Sequence, residues 1–127
     1  MAKLFTAQRA MIYARQQGWR VAKVEQTIAP PGRRAFRRDA FGFIDLIVLR
    51  PDECVAVQAC QHKDTSDHLL KLRTDEKSMD NLAAWISVAG CVAELWAMKK
   101  VLRGKAVRWM CQSRDLSELL SPGDTKF

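Results

Sequence analysis

The chain has 127 residues, and its 21 Lys and Arg outnumber 14 Asp and Glu, so the formal net charge is +7. This length fits one domain, and an apolar fraction of 48% is enough for a buried core without disulfides or metals. No apolar stretch is long enough for a transmembrane helix, and the N-terminal residues lack the pattern of a secretory signal. Without an export signal, the four scattered cysteines are expected to be reduced, which favours a cytoplasmic location. We expect neither a membrane partner nor a small-molecule cofactor.

The first part of the chain predicts a helix, a strand and a loop. Apolar residues at helical spacing predict a helix over residues 3–17, and Gly18 stands where a glycine ends a helix. Alternation in residues 19–28 predicts a strand. Pro31 and Gly32 then indicate a loop without regular secondary structure.

This loop contains the densest positive charge. The first fifty residues hold ten Lys and Arg but three Asp and Glu, and four of these arginines lie within six residues: Arg33, Arg34, Arg37 and Arg38. Closely spaced guanidinium groups displace counterions from nucleic acid and contact phosphate in a bidentate manner. The loop therefore indicates a nucleic-acid-binding arm, and an ordinary solvated loop is the alternative.

The middle of the chain predicts a hairpin of two central strands. Residues 43–49 and 54–60 are apolar runs, and the turn between them contains Pro51 and Asp52. The next segment, 66–89, predicts two helices, with Thr65 or Ser66 and Ser78 as their N-caps.

The last part of the chain predicts two paired strands, over 91–99 and 106–112, joined by a basic turn around Gly104. A short helix near 115–120 is expected to end at Pro122. The element order predicts an α/β (α+β) fold in a single domain, residues 1–127. A small mixed sheet would be flanked by helices, with a core of about 3–98 followed by a strand and a short helix in 105–121.

One polar residue interrupts each strand of the hairpin: Asp45 and, thirteen residues later, Gln58. Strand alternation allows both side chains to point into one pocket. A buried carboxylate needs a compensating partner, and Asp45, the Gln58 amide oxygen and the Ala59 carbonyl could bind a divalent cation. The alternatives are a carboxylate that caps a bulge or pairs with an arginine.

The pattern RRDAFGFIDLIVL, a turn and then VAVQAC resembles the PD-(D/E)XK nuclease superfamily, especially its small Holliday-junction-resolvase-like and phage members. The resemblance implies an αβββαβ restriction-endonuclease-like core whose active site lies on the hairpin. It implies that Asp45 is the catalytic Asp and that residues 58–60 stand where the family has an acid-x-Lys triplet.

This triplet departs from the family pattern at both of its catalytic positions. Gln58 replaces the acid, which should weaken cation affinity, and Cys60 replaces the lysine. The lysine can migrate in this superfamily, so Lys63 or Lys71 could take its role, with Lys63 preferred. Glu25 or Asp39 could supply a third acid.

The resemblance thus implies an endonuclease that uses Mg²⁺ or Mn²⁺ to hydrolyse DNA, on branched or otherwise structured substrates. A homodimer would supply the two sites that are needed to cut two strands. Two alternatives remain open. One is the same fold with a degraded site that binds DNA or a protein, and the other is an interaction protein whose arginines meet an acidic partner.

Overall fold

A computed structural model of the chain describes residues 6–120, apart from the side chains of Thr27, Phe36 and Arg37. The elements in chain order are α1 (Thr6–Gln16), β1 (Arg20–Lys23), β2 (Gln26–Ile28), β3 (Phe36–Arg38), β4 (Leu46–Arg50), β5 (Glu53–Gln61), α2 (Thr65–Thr74), α3 (Glu76–Ile86), β6 (Cys91–Arg103) and β7 (Ala106–Asp115). Two short 3₁₀ segments, His62–Asp64 and Leu116–Leu120, precede α2 and follow β7.

Five strands form a mixed sheet in the order β1-β4-β5-β6-β7. The β5–β6 pair is parallel, and the other three pairs are antiparallel. Two parallel neighbours need a crossover connection, and α2 and α3 provide it. The predicted mixed α/β class is therefore confirmed.

Helices cover both faces of this sheet, as the sequence predicts. On one face, the small buried residues Ala10 and Ala14 let α1 lie close to Val48, Val57 and Trp96. The other face packs against α2 and α3, and its core includes Ala56, Cys60, Leu72, Leu82 and Leu95. Burying both faces is what makes β4, β5 and the first half of β6 almost continuously apolar.

Several sequence predictions are confirmed with small changes of boundary. Within the described residues, the first helix spans Thr6–Gln16, and Gly18 follows it with φ +84°. The hairpin strands are β4 and β5, and Asp45 lies one residue before β4 rather than inside it. The two helices and the final short helical segment are also present, whereas Pro122 lies outside the described residues.

The predicted strand over residues 19–28 is wrong, because the structure divides it into β1 and β2. β1 pairs with β4 as far as Lys23 and Leu46, and β2 instead pairs with β3 in a separate two-stranded sheet. The arginine segment is thus not wholly a loop, since residues 36–38 form β3. The physical reason is that β4 begins at Leu46, the partner of Lys23, so the residues after Lys23 have no further β4 residue to pair with.

Three other local predictions are wrong. Ser78 lies inside α3 rather than at its N-cap, where Asp75 precedes the helix and accepts a hydrogen bond from the Ser78 hydroxyl at 2.8 Å. Asp64 rather than Thr65 or Ser66 precedes α2. The basic turn is also shorter than predicted, because β6 continues to Arg103 and pairs with β7 up to that point.

None of the helices within residues 6–120 is long and apolar enough to cross a membrane.

Gly42 offers a test of the loop that leads into β4. Its φ is +81°, and an added Cβ would lie 2.7 Å from Oγ of the buried Ser78. We expect Gly42→Ala to lower the free energy of unfolding by about 2–3 kcal/mol, because left-handed strain adds to the displacement of this hydroxyl. Urea denaturation measures the loss.

Gly32→Ala is the matched control, since Gly32 has φ +71° and nothing within 4 Å of an added Cβ. It should lose only the backbone contribution, about 1 kcal/mol. Equal losses for the two variants would contradict the proposed contact with Ser78.

Candidate functional site

Three hydrogen bonds hold the backbone of Asp45 in place. Its N–H donates to the carbonyl of Val57 at 2.9 Å. Its carbonyl accepts hydrogen bonds from the N–H groups of Val24 and Glu25, at 3.0 and 3.2 Å. These bonds join the first half of the chain to the hairpin, and they bring Glu25 beside Asp45.

Three carboxylates meet at this point. One oxygen each of Glu25, Asp39 and Asp45 lies within 4.8 Å of the others. Asp39 reaches the cluster because its neighbour Ala40 bridges to Ile44, which folds the loop after β3 back onto the start of β4. Glu25 and Asp39 are the alternative third acids expected from the sequence, and the structure brings both to Asp45.

The Asp45 side chain is only 7% exposed, and its Oδ2 accepts the N–H of Ala59 at 2.8 Å. Burial is the main reason that its pKa is raised from 3.8 to about 8. The hydrogen bond and negative charge of Asp39 raise the pKa further, as does the charge of Glu25, and the Ala59 N–H opposes them. The Asp45 carboxyl therefore keeps its proton to a higher pH than an ordinary aspartate does when no cation neutralises the cluster.

Gln58 lies on the same cavity, of about 280 Å³, as the three carboxylates. Its Oε1 is buried, and no hydrogen-bond donor within the described residues reaches it. A buried amide oxygen without a donor is costly, so this atom is an acceptor in need of a partner. Asp45 and Gln58, the two polar residues that interrupt the apolar runs of the hairpin, thus line one cavity, which we call the acidic cleft. Ala59 also lines it, and its backbone N–H is the group that binds Asp45.

Cys60 lines the acidic cleft but offers no cation. It is 3% exposed, and burial raises the pKa of its thiol to about 11, with smaller contributions from the charges of Asp64 and Asp45. The thiol therefore stays protonated at neutral pH, and thiolate chemistry at Cys60 is disfavoured.

The two lysines proposed as replacements lie elsewhere. Lys63 is exposed on the 3₁₀ segment before α2, where it lines a separate groove with Lys99 and Lys100. Lys71 is exposed on α2 and does not line the acidic cleft. Among the residues that the structure describes, neither Lys nor Arg lines this cleft.

Three polar residues at and after the end of β5 also line the acidic cleft, although the sequence analysis did not assign them to the site: Gln61, Asp64 and His68. Gln61 ends β5, and the other two follow it on the 3₁₀ segment and α2. A signal was present, since the segment HKDTSDH directly follows the hairpin. The path of that segment past the cavity depends on the 3₁₀ turn at His62–Asp64.

The arginine segment adjoins this site. Arg33, Arg34 and Arg38 are exposed, and the Arg37 side chain lies outside the described residues. Arg38 lines a neighbouring cavity together with Asp39 and Asp75. Because Asp39 also lines the acidic cleft, the basic segment borders the cleft at this residue.

Comparisons of the chain with protein-family models, with curated proteins and with solved structures found no match.

The raised pKa of Asp45 predicts how stability depends on pH. A carboxyl group whose pKa is higher in the folded state stabilises the fold while it is protonated, and this contribution is lost as pH rises from about 4 to about 8. Asp45→Asn keeps the shape and removes the charge. Without metal, we expect the variant to gain stability over the wild type across this range, by a few kcal/mol at most, and to level off above it.

Chemical denaturation at several pH values in EDTA measures this difference. Asp80→Asn, which removes an exposed carboxylate on α3, is the control and should show a nearly constant difference. A constant difference for Asp45→Asn as well would mean that Asp45 is not protonated in the folded protein.

Proposed function

We propose that the chain is an endonuclease that depends on Mg²⁺ or Mn²⁺ and hydrolyses phosphodiester bonds of DNA. The observation that carries the proposal is the acidic cleft, where three clustered carboxylates lie on the same cavity as the buried Gln58 oxygen, which has no hydrogen-bond partner among the described residues. The PD-(D/E)XK resemblance supports the same activity and adds branched DNA and a phage-type setting. The expected reduced cysteines favour a cytoplasmic location, and the need for two sites to cut two strands favours a homodimer.

The residues of the cleft fit a hard divalent cation. Carboxylate and amide oxygens are the donors that Mg²⁺ and Mn²⁺ prefer. Carboxylates this close repel one another when they are ionised, and a cation would remove that repulsion. It would also give the Gln58 oxygen the partner that it lacks among the described residues.

An ion held by Glu25, Asp39, Asp45 and the Gln58 oxygen would polarise a phosphate oxygen and acidify a bound water. His68 lines the cleft, and its imidazole can take up and return a proton. Asp45 is oriented by the Ala59 N–H, which prevents it from turning out of the cleft. Arg33, Arg34 and Arg38 border the site and can hold the DNA backbone next to it.

A second function has one specific observation in its favour. No lysine or arginine from the described residues lines the acidic cleft, and Lys23, whose Nζ lies 4.0 Å from Glu25 Oε1, is half-exposed outside its lining. The cation that PD-(D/E)XK nucleases place there therefore has no replacement among the groups that line the cleft. The alternative is therefore a DNA-binding module that keeps this fold and has lost the chemistry.

A cleavage assay separates the two functions. Labelled duplex, single-stranded and four-way-junction DNA would be incubated with Mg²⁺, Mn²⁺ or EDTA. We expect metal-dependent cleavage that Asp45→Asn lowers by about 100-fold or more, since even residues behind a metal ligand contribute 10- to 100-fold. The exposed Asp80→Asn should cut like the wild type.

DNA binding would be measured on the same substrates. Binding without cleavage under either metal would contradict the nuclease proposal and favour the binding module. Cleavage that survives Asp45→Asn would mean that the activity arises outside the acidic cleft.

Gln58→Glu tests the metal centre without any substrate. The added carboxylate should raise Mn²⁺ affinity by about tenfold, because cation affinity at oxygen sites follows the number of ligand charges. Isothermal titration calorimetry measures the affinity. Gln112→Glu, which places the same charge on an exposed position of β7, is the control. Equal affinities for the two variants would exclude Gln58 from the metal's ligands.

A further inference from the structure

The β6–β7 hairpin extends beyond the sheet to which it belongs. β5 accompanies β6 only as far as Gln61, which pairs with Met98, whereas β6 and β7 remain paired to Arg103 and Ala106. The five residues of β6 past Met98 therefore form a two-stranded extension, which we call the ribbon (residues 99–110). At the usual rise per strand residue it is about 17 Å long.

The ribbon is strongly basic. Residues 95–114 contain no Asp or Glu, and they hold six cations: Lys99, Lys100, Arg103, Lys105, Arg108 and Arg114. Lys99, Lys100 and Arg108 are exposed. Within residues 6–120, none of these three forms an ion pair with a carboxylate. No acidic residue of this segment therefore offsets the positive potential of the ribbon.

Two grooves meet at the base of the ribbon and share Met98 and Trp109. The first, of about 310 Å³, is lined by Lys63, Lys99 and Lys100, and no acidic residue within 6–120 lines it. The second, of about 280 Å³, is lined by Arg9 and Arg108, and the described part of the chain contributes no acidic residue to it either.

Trp109 holds one of these cations in position. The guanidinium of Arg9, on α1, lies 3.7 Å from the centre of the Trp109 ring, which is a cation–π contact. Arg9 is therefore directed towards the ribbon by an aromatic ring and keeps its charge available for an anion.

The basic grooves also connect with the acidic cleft. Gln61, at the end of β5, lines both the cleft and the groove of Lys63, Lys99 and Lys100. The cleft, this groove and the groove of Arg9 and Arg108 thus follow one another across the surface, each sharing at least one residue with the next.

We infer that the ribbon and its two grooves bind the phosphate backbone of duplex DNA that extends away from the acidic cleft. A two-stranded ribbon has dimensions that fit against a double helix, and clustered cations without acids are the electrostatic pattern of a polyanion partner. Lys63 then contacts DNA rather than supplying the missing lysine of the cleft. The inference deepens the proposed function but needs only DNA binding, not cleavage.

A second copy of the chain is the other occupant that the ribbon could have, because Leu102, Val107 and Met110 are exposed on it. The charge argues against this occupant. Two copies of the ribbon would bring their cations together with no acidic residue between 95 and 114 to offset them.

Fluorescence anisotropy with a labelled 20-base-pair duplex, in EDTA and at several salt concentrations, tests the inference. Lys99→Gln/Lys100→Gln should weaken binding by about tenfold near physiological salt and reduce the salt slope by about 2. Arg15→Gln/Arg20→Gln removes the same charge from exposed positions outside the three cavities and should change affinity less than about twofold. Thermal unfolding and sedimentation of each variant accompany the binding curves.

Equal losses for both double variants would overturn the inference, because net charge alone would then explain them. A wild-type chain that does not bind the duplex would also overturn it. A ribbon variant with unchanged DNA affinity that dissociates from dimer to monomer would assign the ribbon to a protein interface instead. Since binding is measured without metal, a wild-type chain that binds through the ribbon but never cuts would contradict only the nuclease proposal.

Discussion

The arrangement of the site depends on the hydrogen bonds of one buried residue, Asp45. Its N–H binds Val57 on β5, its carbonyl receives the N–H groups of Val24 and Glu25, and its side chain receives the N–H of Ala59. One residue therefore fixes the end of β1, the start of β4 and the middle of β5 relative to one another. The cost is a carboxylate in a poorly solvated position beside Asp39 and Glu25, which is the reason for its raised pKa.

Acidic and basic residues occupy separate parts of this surface, although the formal net charge of the chain is +7. The acidic cleft gathers three carboxylates from β1–β2, the loop after β3 and the start of β4. The arginine segment borders it at Asp39, and the ribbon continues from it through Gln61. A polyanion attracted to these basic surfaces would be repelled by the cleft itself unless a cation occupied it, so the proposed metal would let a phosphate of the bound DNA approach the cleft.

Sequence periodicity was reliable where one face of an element is buried by a neighbour that is close in the chain. The hairpin and the end of the first helix at Gly18 could be predicted for this reason. Periodicity failed at residues 24–25, because the division between β1 and β2 is imposed by the carbonyl of Asp45, twenty residues away. It also gave too short a strand for β6, whose exposed half past Met98 has no buried face to produce a pattern.

The sequence by itself determined the mixed α/β class, the location of Asp45 and Gln58 in one hairpin, and the presence of unusually basic segments. These follow from local alternation and composition, which are properties of neighbouring residues. Only the tertiary structure decided that Glu25 and Asp39 both join Asp45, and that Lys63 lies in a different groove with Lys99 and Lys100. Whether these side chains come together depends on where the chain turns after β3 and β5. The sequence of a turn has no periodic pattern from which the direction of a carboxylate or a lysine could be predicted.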